Sequence, residues 1–186
     1  MKPLVLAFLS IALLFQSARA QQQQQHGFHI TQEDDTIQLR WDGQTPFYYF
    51  IQYSGDLFSW TFVPSVEIGN NTPIALAFDM NADRGFWRMF GETDPNAPLL
   101  AADYNGIGLS AWQQLQLGFN PFDWVDSNSN GMHDAWELFH FQELGVDPND
   151  DEDADGQTNL QEFLSGNNPL HPDHPAVGLA LHTPLR

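Results

Sequence analysis

The chain has 186 residues, no cysteine, and 24 acidic against 6 basic side chains, a formal charge of −18. That balance excludes nucleic acid as a partner, which needs a basic surface, and the missing cysteine excludes disulfides, thiol catalysis and sulfur-ligated metals. No Lys or Arg stands between Arg88 and Arg186, so a compact C-terminal half must offset its own repulsion; bound divalent cations would do so, and disorder would avoid the need.

In chain order, residues 1–20 read as a secretory signal. Lys2 supplies the positive start, Leu4 to Phe15 the apolar run, and Ala18-Arg19-Ala20 the small residues at the cleavage site. The run is short for a membrane span, which takes roughly 20 apolar residues, and no second candidate follows. A mature chain without a membrane span is therefore expected, secreted to the extracellular space, the periplasm or the cell surface. Removal of the signal leaves 166 residues and takes the charge to about −20. Residues 21–27, Gln-rich, are expected to be a disordered lead-in.

Residues 28–92 alternate in the manner of strands. Thr36 to Trp41 has period two, Phe47 to Tyr53 is aromatic and β-prone, and Ile74–Phe78 and Phe86–Phe90 are short apolar runs. Turn signals at Asp42-Gly43, Ser54-Gly55-Asp56, Gly69-Asn70-Asn71 and Asp83-Arg84-Gly85 separate them. The expectation is a small antiparallel β-sandwich of five to seven strands.

Trp41, the run from Phe47 through Gln52, Ser54, Asp56 and Leu57 to Trp60, and the closing Phe86-Trp87-Arg88 resemble a β-sandwich module of secreted bacterial proteins, broadly similar to fibronectin type III domains. The resemblance covers about a third of the chain and implies an extracellular accessory module with no chemistry attached. The aromatic residues read first as core; rings facing outward on strands would instead suit a carbohydrate-binding module.

Across residues 93–170 the pattern becomes loop, helix, Gly, Pro. Ala111–Leu117, Ala135–Leu144 and Leu160–Ser165 are predicted helices, followed by Gly118, Gly145 and Gly166, with Pro121, Pro148 and Pro169 shortly after. Three such segments predict an internal repeat, and residues 171–186 are expected to be a flexible Pro- and His-rich tail.

Two of the loops carry a chemical pattern. Asp126 to Glu137 reads DSNSNGMHDAWE: Asp126, Asn128 and Asn130 alternate, Gly131 permits a sharp turn, Met132 offers its carbonyl, Asp134 is ninth and Glu137 twelfth. Asp151 to Glu162 reads DEDADGQTNLQE and places Asp151, Asp153, Asp155, the Gln157 carbonyl, Asn159 and Glu162 at the same positions. Such spacing suits a hard cation taking six to eight oxygens, as Ca2+ does, and two ions are expected, the weaker in the loop with fewer charges. A third, degenerate loop begins at Asp103, Asn105 and Gly108. It reads as one residue short, with Gln113 replacing the closing Glu, and is expected to cap the array through Trp112 and Leu115 rather than bind metal.

Asp126 to Pro169 resembles bacterial thrombospondin type 3 repeats and EF-hand-like calcium modules. The resemblance implies structural calcium in an extracellular spacer, adhesion or scaffold protein whose partner is an extracellular protein or a polysaccharide. Dockerins, which bind a protein partner through two calcium loops, are the alternative, although neither loop's helix carries Lys or Arg. His133 and His140, two helical turns apart, could share a zinc ion, but the eighth position of such a loop points away from the ion. No nucleophile, phosphate-loop or zinc-protease motif is present, so no enzyme is expected. The whole is read as multidomain, β plus α: a small antiparallel β-sandwich followed by tandem calcium loop–helix repeats.

Overall fold

The computed structural model describes residues 27–33, 36–79 and 85–173. The expected signal, most of the Gln-rich lead-in, Asp83-Arg84 and the tail beyond Asp173 lie outside the described residues. Among the described residues no helix is long and apolar enough to cross a membrane. The chain divides into two compact units, with the boundary between Leu100 and Ala101.

Among the described residues the first unit holds six strands, β1 (His29–Glu33), β2 (Thr36–Gly43), β3 (Tyr48–Ser54), β4 (Thr61–Ile68), β5 (Thr72–Asp79) and β6 (Phe86–Glu92), and a short α1 (Pro98–Ala101) runs across the boundary. They form two three-stranded antiparallel sheets, ordered β1-β2-β5 and β4-β3-β6. Period two decides which side chains go inward: Ile37, Leu39 and Trp41 on β2 join Tyr49 and Ile51 on β3 and Trp87 on β6 in one buried cluster. Trp41 meets Tyr49 edge-on, with ring centroids 5.7 Å apart. Trp41, Tyr49, Phe50, Phe86 and Trp87 are buried, and Phe28, Phe47, Tyr53 and Phe78 pack half-buried against the cluster.

The run from Gln52 to Trp60 forms a clamp. Asp56 Oδ1 accepts the N–H groups of Phe58 and Ser59, each at 2.8 Å, and the Ser54 hydroxyl accepts the Leu57 N–H at 2.8 Å. Together these hold the β3–β4 turn, and the turn's N–H donors keep the Asp56 carboxyl below its ordinary pKa. Arg88 donates from Nε to Gln52 at 2.7 Å and lays its guanidinium 4.1 Å over the Trp60 ring. The motif thus encodes a turn and a stacked cation. Phe58, 91% exposed, stands out from that turn.

In the second unit α2 (Ala111–Gln116), α3 (Asp134–His140) and α4 (Asn159–Ser165) are short helices set among turns. Their core is Ile107, Leu109, Met132, Ala135, Trp136 and Phe163. Trp112 and Leu115, expected to cap it, are not in that cluster.

The expected architecture is corrected here. Two three-stranded sheets dominate the described residues, helix is confined to segments of four to seven residues, and no tandem loop–helix repeat is evident. α2 and α4 both close on a left-handed glycine, Gly118 (φ 86°) and Gly166 (φ 75°), with the next N–H returning to the helix, Phe119 to the Gln114 carbonyl (3.0 Å) and Asn167 to the Glu162 carbonyl (2.9 Å), whereas α3 passes through Phe141 and the left-handed Gln142 (φ 61°) before it reaches Gly145 (φ 83°). The helix expected through Leu144 stops at His140 because the backbone N–H groups of Gly145 and Val146 turn back to the Glu137 carboxylate, at 2.9 and 3.0 Å, which a continuing helix could not reach.

Candidate metal centre

In the loop from Asp151 to Glu162, one oxygen from each of Asp151, Asp153 and Asp155 lies within 4.8 Å of the others. Backbone N–H groups hold these carboxylates: Asp151 accepts from Asp155 (3.2 Å) and Gly156 (2.9 Å), Asp153 from Asp155 (3.1 Å), and Asp155 from Gln157 (2.9 Å). The tight path requires left-handed backbone at Ala154 (φ 61°) and Gly156 (φ 98°). Thr158 caps α4 in a capping box with Gln161 and so places Asn159 and Glu162 on the helix's first turn.

Glu162 is fully buried, and neither of its carboxylate oxygens has a hydrogen-bond partner. Asp153 Oδ2 and Asn159 Oδ1 are buried and unpartnered as well. Burial, and then the charges of Asp153, Asp155, Asp173 and Asp151, push Glu162 up to about 7. Buried carboxylates in folded proteins are almost always paired or bound to metal. These orphaned oxygens fit a hard cation, which takes oxygen donors and supplies positive charge.

The loop from Asp126 to Glu137 follows the same backbone path, with Ser129 (φ 61°) and Gly131 (φ 88°) left-handed. Asp126 accepts from the N–H groups of Asn130 and Gly131, Asn128 Oδ1 from Asn130, and Asn130 Oδ1 from Met132. Met132 buries its side chain in the core, and Asp134 accepts the Ser127 N–H at 2.9 Å. The difference lies at Glu137. It is equally buried, but its carboxylate accepts from Asn130 Nδ2 (2.9 Å), Asn128 Nδ2 (3.2 Å) and the N–H groups of Gly145 and Val146. This carboxylate is satisfied by amides.

The third loop carries one acid, Asp103, whose carboxylate accepts the N–H groups of Gly106, Ile107 and Gly108. Gly106 (φ 75°) and Gly108 (φ 81°) occupy the fourth and sixth places counted from Asp103, which makes Gln114 the twelfth residue. The loop is therefore full length, and Gln113 belongs instead to the capping box of α2 with Ser110. Gln114, fully buried, exchanges two hydrogen bonds with Asn105 (2.9 and 3.0 Å) and donates to the Leu109 carbonyl (3.0 Å). A count of twelve from Asp103 was the signal that would have found it.

His133 is the N-cap of α3, a role the sequence reading missed. Its Nδ1 accepts the Ala135 N–H at 3.0 Å, Nε2 lies 3.3 Å from the Asp123 carbonyl, and Phe119 and Trp124 enclose the ring. Burial lowers its pKa and that of His140, whose ring packs against Trp136 at 4.8 Å. With both ring nitrogens of His133 engaged, the pair is not assembled as a zinc site. Among the described residues the only grouping of three metal-binding side chains is the Asp151, Asp153, Asp155 triad.

No protein-family model matches the chain, and comparison with curated proteins and with solved structures gives no significant match.

Proposed function

We propose that this is a secreted calcium-binding protein in which the ion is structural, held between Asp151 and Glu162. Asp151, Asp153, Asp155 and Glu162 would contribute carboxylates, Asn159 its side-chain oxygen and Gln157 its backbone carbonyl. The observation that carries this reading is the buried Glu162, with both oxygens unpartnered, in the field of three aspartates. Calcium would supply the positive charge that the sequence beyond Arg88 lacks. Because the metal binds the folded loop and hardly binds the unfolded one, folding of this segment and calcium affinity are one equilibrium. An ion in the loop from Asp126 to Glu137 would have to displace the Asn128 and Asn130 amides from Glu137, so that loop would fill second and more weakly.

A module of this kind acts as an extracellular spacer, adhesion or scaffold element, with dissociation constants of about 0.1 to 1 mM. The carbohydrate-binding alternative draws less support. Trp41, Tyr49, Phe50 and Trp87 are buried, and the Trp60 ring carries the Arg88 guanidinium on a face. The deciding experiment is a calorimetric calcium titration of the chelator-treated chain, with circular dichroism recorded at both ends. Heat from a first site that Glu162→Gln removes is the expected result. No heat from the parent chain would leave the acidic loops as solvated turns and end the proposal.

A further inference from the structure

Resting on that calcium reading, we infer that Asn159 is a two-ended ligand, one end for the cation and the other on the chain that closes the preceding loop, so that the site from Asp151 to Glu162 acts on the loop from Asp126 to Glu137. Asn159 is fully buried at the start of α4, its N–H on the Asp150 carbonyl at 2.8 Å. Its side-chain Nδ2 donates to the Asp147 carbonyl at 2.9 Å, while Oδ1 is buried with no partner. A planar amide pinned at its nitrogen has its oxygen fixed as well, and such an oxygen is what a hard cation takes.

The Asp147 carbonyl belongs to a stretch that the earlier loop already uses. Gly145 and Val146 donate their N–H groups to Glu137 at 2.9 and 3.0 Å, and the Val146 carbonyl accepts from Asn130 Nδ2 at 3.1 Å. One residue on, Asp147 receives Asn159, and Pro148 receives the Leu160 N–H at 3.1 Å. Residues 145–148 are therefore hydrogen-bonded to both loops. The ninth position of the earlier loop is wired differently: Asp134 accepts the Ser127 N–H, inside its own loop. A side chain with oxygens alone serves there. At position 159 it would set a carboxylate against the Asp147 carbonyl oxygen. With a cation on Oδ1, the Asn159 amide becomes a stronger donor at Nδ2, because hydrogen-bonded groups in a chain polarise one another. The Asp147 carbonyl is then held more tightly, and with it the two N–H groups that close Glu137.

The first arm of the test needs no variant. Amide exchange of Gly145 and Val146 is followed by NMR on the full chain, in chelator and with calcium sufficient for the tighter site alone. Gly106 and Gly108, whose N–H groups are held by Asp103 in the same unit, are the reference. Calcium is expected to slow exchange at Gly145 and Val146 by at least about fivefold beyond any change at the reference amides. Equal slowing at all four, which would be general stabilisation, or none at Gly145 and Val146, overturns the inference; heat from calcium in calorimetry of the same sample then leaves the site itself standing. The second arm is Asn159→Asp. By charge alone it should tighten the site; because it loses the amide donor, it is expected to weaken the site by about tenfold and to abolish the selective slowing. Tighter binding by Asn159→Asp overturns the inference as well. If the parent chain gives no heat with calcium, the site and its action on the earlier loop fall together.

Discussion

Asn130 donates its side-chain N–H to Glu137 at 2.9 Å, whereas Asp155, at the same place in the next loop, faces Glu162 as a like charge. Asn at two positions, 128 and 130, where the next loop has Asp153 and Asp155, separates a loop that closes by itself from a loop that repels itself. In the loop before both, the pairing is amide to amide, Asn105 with Gln114. Charge held in these three loops rises along the chain, and the need for a cation rises with it.

Glu162→Gln should have opposite effects with and without metal. In chelator it removes a buried unpartnered carboxylate, so the melting temperature should rise by several degrees, given roughly 4–8 °C per kcal/mol for a unit of this size. In millimolar calcium the parent should be the more stable of the two. Thermal melts of both proteins in both buffers check the crossover.

Replacing Asn128 and Asn130 by Asp together removes two donors from Glu137 and adds two charges beside it. Stability in chelator should fall by about 2–4 kcal/mol, while calorimetry in calcium should show a tighter second site. Denaturant unfolding in the two buffers reads both arms.

The contribution of Glu162 to the pH dependence of the cation-free protein has a definite sign. Glu162 titrates from an ordinary 4.5 up to about 7 in the folded chain, so between those values the folded state holds the proton that the unfolded state has released. Its contribution to stability is therefore fully present below about 4.5 and is lost as pH rises through about 7. Calcium requires the ionised form, so its affinity should climb over the same window. Because the buried His133 and the half-buried His140, with lowered pKa, act in the opposite sense, the Glu162 part is read as the difference between melts of the parent and of Glu162→Gln in chelator from pH 4.5 to 8, which should fall with pH while calcium affinity climbs.

In the first unit, a Cβ added at Gly69 would meet the Gln44 carbonyl oxygen at 1.9 Å, a backbone atom with no side-chain freedom to yield. Gly69→Ala should cost at least about 2 kcal/mol and leave calcium binding unchanged, as read by the same titration.

Much of the sheet was legible because period-two alternation is strong where one face is buried: Ile37, Leu39 and Trp41 declare β2. β1 and β4 were not picked out. Their residues are mostly exposed or half-buried, so their alternation is weak. The oxygen-bearing residues from Asp151 to Glu162 could be picked out because spacing carries them, and three of them, Asp151, Asp153 and Asp155, come together. What spacing could not tell was how the other loops close, since Asn offers both an oxygen and an amide donor, and only the direction of its hydrogen bonds decides. The helices were over-extended for a related reason: the return of Gly145 and Val146 to Glu137 is a contact across eight and nine residues that no periodicity encodes.

The graded loops also set how the second unit comes apart. Ile107, Leu109, Met132, Ala135 and Trp136 belong to segments whose buried polar groups are closed by amides, while Phe163, with the half-buried Leu160, reaches that core from the segment whose buried Glu162 carboxylate has no partner. If calcium holds the loop from Asp151 to Glu162, its withdrawal would release this unit from that side, peeling α4 and residues 166–173 away while the earlier turns keep their packing. Proteases in a calcium-poor medium would find a cleavable C-terminal fringe on an intact body, and the external ion concentration would set the length of chain that stays protected.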